Sequence, residues 1–334
     1  YQIKIRSGRS VKKIISIFII LSLVGTSGAL AEDGNGGGTA AFLKLGFSAR
    51  VMGMGGAYLA ISDDATGMFY NPAGLAQLKW NSASASYRHM DFDRKFGYVA
   101  FGVQALEEAT VAGGWIHASD GNWVGRDGEG IPTNEDLSYS DNTIALAFAK
   151  KFGDIFMVGA TGKYFITKVA DITSNTVTFD LGGMAVLDKL NFFEPDAFFD
   201  AVRVGLVVEN MGGTHRFNTG DYWSQFGEVG VAQDEDMLLG VKGGVSALIL
   251  DSTTLVSVDV RKIENHDIKF FAGGEYVFNK LVALRAGYAD ERLAFGGGIS
   301  KTFIYYRFKL DYAFVTAVDG EAPDHLFTIG FEFR

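Results

Sequence analysis

A chain of 334 residues with 39 acidic and 30 basic side chains, net charge −9 and no cysteine, has no disulfide or thiol chemistry. Its acidity argues against nucleic acid or anionic lipid as a main partner. The 43 glycines, 28 phenylalanines and 13 tyrosines against only 4 prolines suit a large antiparallel β structure, and composition leaves a soluble sandwich and a membrane barrel equally open.

Residues 1–31 read as a secretory leader. Lys4, Arg6, Arg9, Lys12 and Lys13 form a basic region, Ile14 to Val24 an apolar one, and Ala29-Leu30-Ala31 a small-x-small cleavage site. The apolar stretch is short of the ~20 residues a membrane-spanning helix needs. Loss of these five basic residues, with no acidic ones, would take the net charge from −9 to −14.

Residues 32–81 form the next unit. Gly46 to Leu78 are rich in Gly, Ala and Met and contain Asn71-Pro72-Ala73-Gly74-Leu75. Proline restricts the residue before it to extended geometry, so Pro72 fixes a turn at Asn71, whose side chain can satisfy local backbone groups. Two readings fit: a simple helix-to-strand turn, or part of a plug inside a barrel. In the plug reading the candidate residues are Arg50, Met52, Met54, Asp63, Asp64, Met68, Phe69, Asn71, Pro72 and Ala73. Buried acids need partners, and for Asp63 and Asp64 the candidates are Arg203, Lys242, Arg261, Arg285, Arg307 and Lys309.

From 82 to 334 the pattern is alternation, which predicts strands. Phe327, Ile329, Phe331 and Phe333 share one face, and Thr328, Gly330, Glu332 and Arg334 the other. Tyr306, Phe308, Leu310, Tyr312 and Phe314 oppose Arg307, Lys309, Asp311 and Ala313 in the same way. So do Val256, Val258 and Val260 against Ser257, Asp259 and Arg261, and Val202, Val204, Leu206 and Val208 against Arg203, Gly205 and Glu209. Aromatics near the ends of an apolar face, opposite Gly, Ala and charge, mark a transmembrane barrel. Fourteen strands are expected near 82–90, 95–105, 109–119, 138–150, 155–168, 174–187, 201–210, 236–250, 253–262, 267–277, 281–289, 292–300, 303–314 and 325–334. With both ends in the periplasm, 120–137, 211–235 and 315–324 become external loops. The Phe-rich 188–200 becomes a long periplasmic connection. The predicted class is therefore all-β: an antiparallel barrel of about 14 strands preceded by a small interior plug or hatch segment.

Ala49-Arg50-Val51-Met52-Gly53-Met54-Gly55-Gly56-Ala57, Asp63-Asp64-Ala65 and Tyr70-Asn71-Pro72-Ala73-Gly74-Leu75 resemble the PorV/PorQ family of outer-membrane proteins, short relatives of the FadL-type channels. The resemblance implies a non-enzymatic outer-membrane protein that reaches its membrane by the general secretory pathway. It also implies a type IX secretion role, receiving exported proteins and passing them to surface attachment. The alternative is a FadL-like channel for hydrophobic small molecules, and a third reading is a structural barrel or anchor. The chain is short for a FadL-type channel and ends in Arg334 rather than an aromatic, so recognition by the barrel assembly machinery would rest on Phe331 and Phe333.

Chemical motifs are sparse. His89, His117, His215, His266 and His325 have no ligand spacing and read as satisfied surface groups, with no metal site and no cofactor expected. There is no G-x-S-x-G elbow. Asp127/Glu129 and Asp234/Glu235/Asp236 read as solvated loop charge rather than calcium ligands. Trp123, Tyr222 and Trp223 in external loops, and Phe192, Phe193, Phe198 and Phe199 in the periplasmic connection, are candidate partner contacts. Lipid, the assembly machinery, and either exported proteins or hydrophobic molecules are the partners expected.

Overall fold

A computed structural model of the protein describes residues 42, 46–90, 94–126, 129–189, 199–220, 224, 229–249, 252–289, 291–317 and 322–334. The leader, Tyr222, Trp223, Phe192, Phe193, Phe198 and Asp127 lie outside these residues, and of Phe199 only the backbone is described.

The strands are β1 Asn81–His89, β2 Lys95–Leu106, β3 Ala109–Arg126, β4 Pro132–Phe152, β5 Phe156–Val169, β6 Ile172–Val186, β7 Phe199–Met211, β8 Thr214–Asn218, β9 Ala232–Asp236, β10 Gly240–Ile249, β11 Thr254–Ile263, β12 Lys269–Phe278, β13 Val282–Ala289, β14 Arg292–Thr302, β15 Tyr306–Val315 and β16 Asp324–Phe333. Fourteen of them form one closed barrel, while β8 and β9 pair separately. Every barrel pairing is antiparallel, and β1 closes on β16 with Ala83 opposite Phe331 and Ala85 opposite Ile329. Closure pairs each strand on both edges, the condition a sheet must meet in hydrocarbon. The end where β1 starts and β16 finishes is termed the near end, and the opposite one the far end.

The two faces differ as the alternation requires. Leu146, Leu181, Leu206, Leu284, Ile299 and Ile329 are each more than half exposed on the outside. Soluble monomers rarely show a continuous apolar surface of this kind; it is what a lipid-facing belt looks like. Thr143, Thr161, Asp259, Glu275, Asp311 and Thr328 are buried on the inside. Val202 departs from the pattern: it lies on the outer face but is buried with Val245 and Ala247, with Leu187 packed against them.

One expected loop is largely strand and another holds a hairpin. β3 continues to Arg126 and β4 begins at Pro132, with Trp123 opposite Leu137. Trp123 therefore stands on a paired strand and is 61% exposed. The expected loop 211–235 holds the β8–β9 hairpin, in register from Thr214 opposite Asp236 to Asn218 opposite Ala232.

Candidate functional site

Residues 46–80 lie inside the barrel. They form helix α1 (Ala49–Gly53), helix α2 (Gly67–Tyr70) and a 3-10 helix at Pro72–Gln77. Such short helices are marginal alone, and here the wall supports them. Helix α1 packs on β13–β16 and the 3-10 helix on β3–β6, so the segment crosses the lumen. Phe47, Tyr58, Met68, Phe69 and Tyr70 join Phe96, Tyr98, Ile116 and Phe165 of the wall in one buried cluster. Phe47 stacks on Phe96 at 5.7 Å and meets Phe69 at 5.4 Å.

Hydrogen bonds fix the segment all round. Asp259 Oδ2 on β11 accepts the N–H of Tyr58 (2.7 Å) and of Leu59 (2.8 Å). Thr328 Oγ1 accepts from the Ala49 N–H (2.8 Å), and Ser82 Oγ from that of Ala65 (3.2 Å). Ser246 donates to the Ala60 carbonyl and Thr161 to that of Met68, each at 2.9 Å. Asn71 is extended, with φ −148° and ψ 103°, as a residue before proline should be. Its Oδ1 accepts from the Ala73 N–H at 3.1 Å, and its Nδ2 donates to the Leu59 carbonyl at 3.0 Å.

The wall makes room with glycine. A Cβ on Gly287 would sit 2.2 Å from Gly55 N, one on Gly273 2.1 Å from Met54 O, and one on Gly159 2.4 Å from the Pro72 carbonyl carbon. Gly55 itself has φ +62°, a conformation that costs glycine alone little.

A charged chain runs along one side. Arg50 pairs with Asp63 and grips Glu275 through two bonds of 3.0 Å, Nε to Oε2 and Nη2 to Oε1. Arg285 Nε donates to Glu275 Oε2 (2.6 Å) and its Nη1 to Asp311 Oδ1 (2.7 Å). Tyr58 OH donates to Asp63 at 2.9 Å. Asp63 is thus held by Arg50 of its own segment, not by the wall bases expected for it: Lys242 pairs with Glu209, while Arg307 and Lys309 pair with Glu332. Asp64 lies 3.9 Å from Arg50 and caps Thr66 through the Thr66 N–H, at 2.9 Å.

Two cavities flank the segment. The near-end cavity, about 360 Å³, is lined by this charge chain together with Lys280, Arg307 and Lys309. The far-end cavity, about 260 Å³, is lined by Val51, Met52, Gly55 and Tyr70 of the segment, by Phe271, Ala294 and Val315 of the wall, and by Arg261, Lys269 and Arg292.

This barrel, with a segment across its bore, was compared with known proteins. No family model matches the chain, and no curated protein matches it significantly. Solved structures do. A CymD monoaromatic hydrocarbon channel superposes with TM-score 0.58 at 14% identity, over 86% of this chain and 97% of that one. The Pseudomonas putida toluene transporter TodX gives 0.55 at 14%, over 86% and 98%. A TodX ΔS2S3 mutant, also a monoaromatic hydrocarbon channel, gives 0.57 at 13%, over 86% and 99%. The chain shares the fold of these channels. The FadL-like half of the expected resemblance therefore holds as architecture, whereas the PorV/PorQ half finds no match.

The sequence singled out Arg50, Met52, Met54, Asp63, Asp64, Met68, Phe69, Asn71, Pro72 and Ala73, and all ten lie on the crossing segment. Asp259, Glu275 and the wall glycines were not singled out as its anchors. Of these, only Asp259 lies on a predicted inner face. Among the histidines, His215 is fully buried rather than at the surface. Its ring lies between Phe217, stacked at 5.7 Å, and Phe165, edge-on at 6.3 Å, and its Nδ1 is 3.0 Å from Ser174 Oγ.

Proposed function

We propose that the protein is a non-enzymatic outer-membrane channel for small hydrophobic molecules, with residues 32–81 as its plug and 82–334 as its barrel, exported by a leader at 1–31 and inserted by the barrel assembly machinery. The observation that carries this reading is the far-end cavity, whose floor is the crossing segment itself. A solute seated there touches Val51 and Met52, so movement of the segment would open its way through. The shared architecture with monoaromatic hydrocarbon channels supports small apolar molecules over protein cargo. The features that favoured cargo draw no comparable support: Trp123 stands on a strand, and the aromatics at 192, 193, 198, 222 and 223 lie outside the described residues.

The absence of native cysteine gives a clean test. Ala49→Cys with Thr328→Cys puts a thiol on each of two residues already joined by the Ala49 N–H bond to Thr328 Oγ1 at 2.8 Å. Cells producing the double variant should take up radiolabelled toluene slowly when oxidised and at the wild-type rate after reduction. Wild-type uptake no faster than in cells lacking the protein would refute the channel. Normal uptake by the fully crosslinked protein would refute a moving plug.

A further inference from the structure

Arg261 of β11 lines the far-end cavity and also a small void beside Phe47 and Phe69. Its guanidinium carbon lies 5.3 Å from the Phe271 ring centroid. Stacking occupies the face of a guanidinium and leaves its in-plane N–H fork free for a planar acceptor. That fork has no acceptor: among the described residues Arg261 makes no ion pair or hydrogen bond, and its Nε is buried without a partner. A buried donor left so is costly.

Three of the neighbouring acids are taken. Glu209 holds Lys242, Asp259 on the same face as Arg261 holds the Tyr58 and Leu59 amides, and Asp324 pairs with Arg88 at 3.3 Å. Asp267 lines the cavity from the β11–β12 turn without pairing with Arg261. Lys269 and Arg292 line the same cavity.

We propose that the far-end cavity takes a small aromatic carboxylate, its ring on Val51, Met52 and Phe271 and its carboxylate on the Arg261 fork. This rests on the channel reading and narrows its substrate class from plain hydrocarbons to arene acids. Size agrees. An apolar cavity of about 150 Å³ holds benzene, so about 260 Å³ holds one ring with a carboxylate but no long acyl chain. Arginine and a carboxylate match as two parallel charged hydrogen bonds, which fixes orientation as well as affinity.

The test is calorimetric titration of the full-length protein in detergent micelles with sodium benzoate, with benzamide as its uncharged isostere, and with toluene. Benzoate should bind about tenfold or more tighter than benzamide, the scale expected when a charged bidentate contact is lost. Arg261→Gln should abolish that preference. Equal affinity of the wild-type protein for benzoate and benzamide overturns the proposal, and this comparison needs no variant to fold. Toluene binding without benzoate binding overturns the carboxylate site and leaves the channel reading standing. If Ala289→Trp, which fills the cavity mouth, left toluene binding untouched, the cavity reading beneath both would fall.

Discussion

Arg50 on the crossing segment grips Glu275 of the wall through two guanidinium bonds of 3.0 Å, and this pair joins the segment to the barrel. Removing one partner of a buried ion pair strands the other charge, at a cost on the order of 3–5 kcal/mol. Glu275→Leu should therefore loosen the segment while the barrel stays closed, because no ladder bond is lost. Limited proteolysis should cut near 55–65 in the variant and not in the wild type, while migration on unheated gels still shows a folded barrel. An uncut segment in Glu275→Leu would count against the pair as an anchor.

Gly287 is the second lever. A Cβ at this position would stand 2.2 Å from Gly55 N, which leaves no room for a methyl group, and the neighbour is backbone. Gly287→Ala should displace the turn at Gly55–Gly56 and raise single-channel conductance in planar bilayers. Gly183, elsewhere in the barrel wall with nothing within 4 Å of its Cβ position, is the control, and Gly183→Ala should leave conductance unchanged.

His215 predicts a pH dependence. Burial between Phe165 and Phe217 pushes its pKa below the usual value, so the folded hairpin favours the neutral ring. Stability from this group is present above the unfolded pKa, about 6.5, and is lost as pH falls from there toward the lower folded pKa. The β8–β9 hairpin should show lower amide protection factors, corrected for intrinsic exchange, at pH 5 than at pH 7.5, and His215→Phe should flatten that dependence. The ring packs on Ser174 and stands opposite Glu235 in the hairpin register. A Glu235→Gln control therefore removes the facing carboxylate and leaves the ring in place.

Phe331 and Phe333 remain the proposed assembly signal. Phe333 stacks on Phe101 at 6.1 Å and on Phe331 at 5.7 Å, close to the β1–β16 seam. Changing both to Ala should reduce the membrane-inserted fraction several-fold, measured by fractionation, with unfolded chain left in the periplasm. Changing Phe327, an outward-facing aromatic earlier on the same strand, should have little effect.

The fourteen barrel strands were legible because a half-buried strand writes its two faces into the chain at period two. The same logic hid the outer parts of β3 and β4. Trp123 pairs with Leu137 and Arg126 with Pro132 in sequence that carries no apolar alternation. β9, Ala232–Asp236, is exposed at every residue. The crossing segment was legible from its motif, but its anchors were not. Asp63 and Arg50 are 13 residues apart, a loop contact without period, and Glu275 looks like any lumen carboxylate until the fold brings Arg50 to it.

The unequal lengths of β4 and β13 make the rim of the barrel uneven. At ~3.3 Å per residue and a tilt of ~45°, the 21 residues of β4 rise ~50 Å and the 8 of β13 only ~19 Å, against an apolar band of ~25 Å. One flank is taller than such a band, like the back of a chair, while β13, which ends at Ala289, does not exceed it. A molecule dissolved in the membrane surface would meet the cavity by moving sideways along the leaflet, and one arriving from open water would first meet the tall flank.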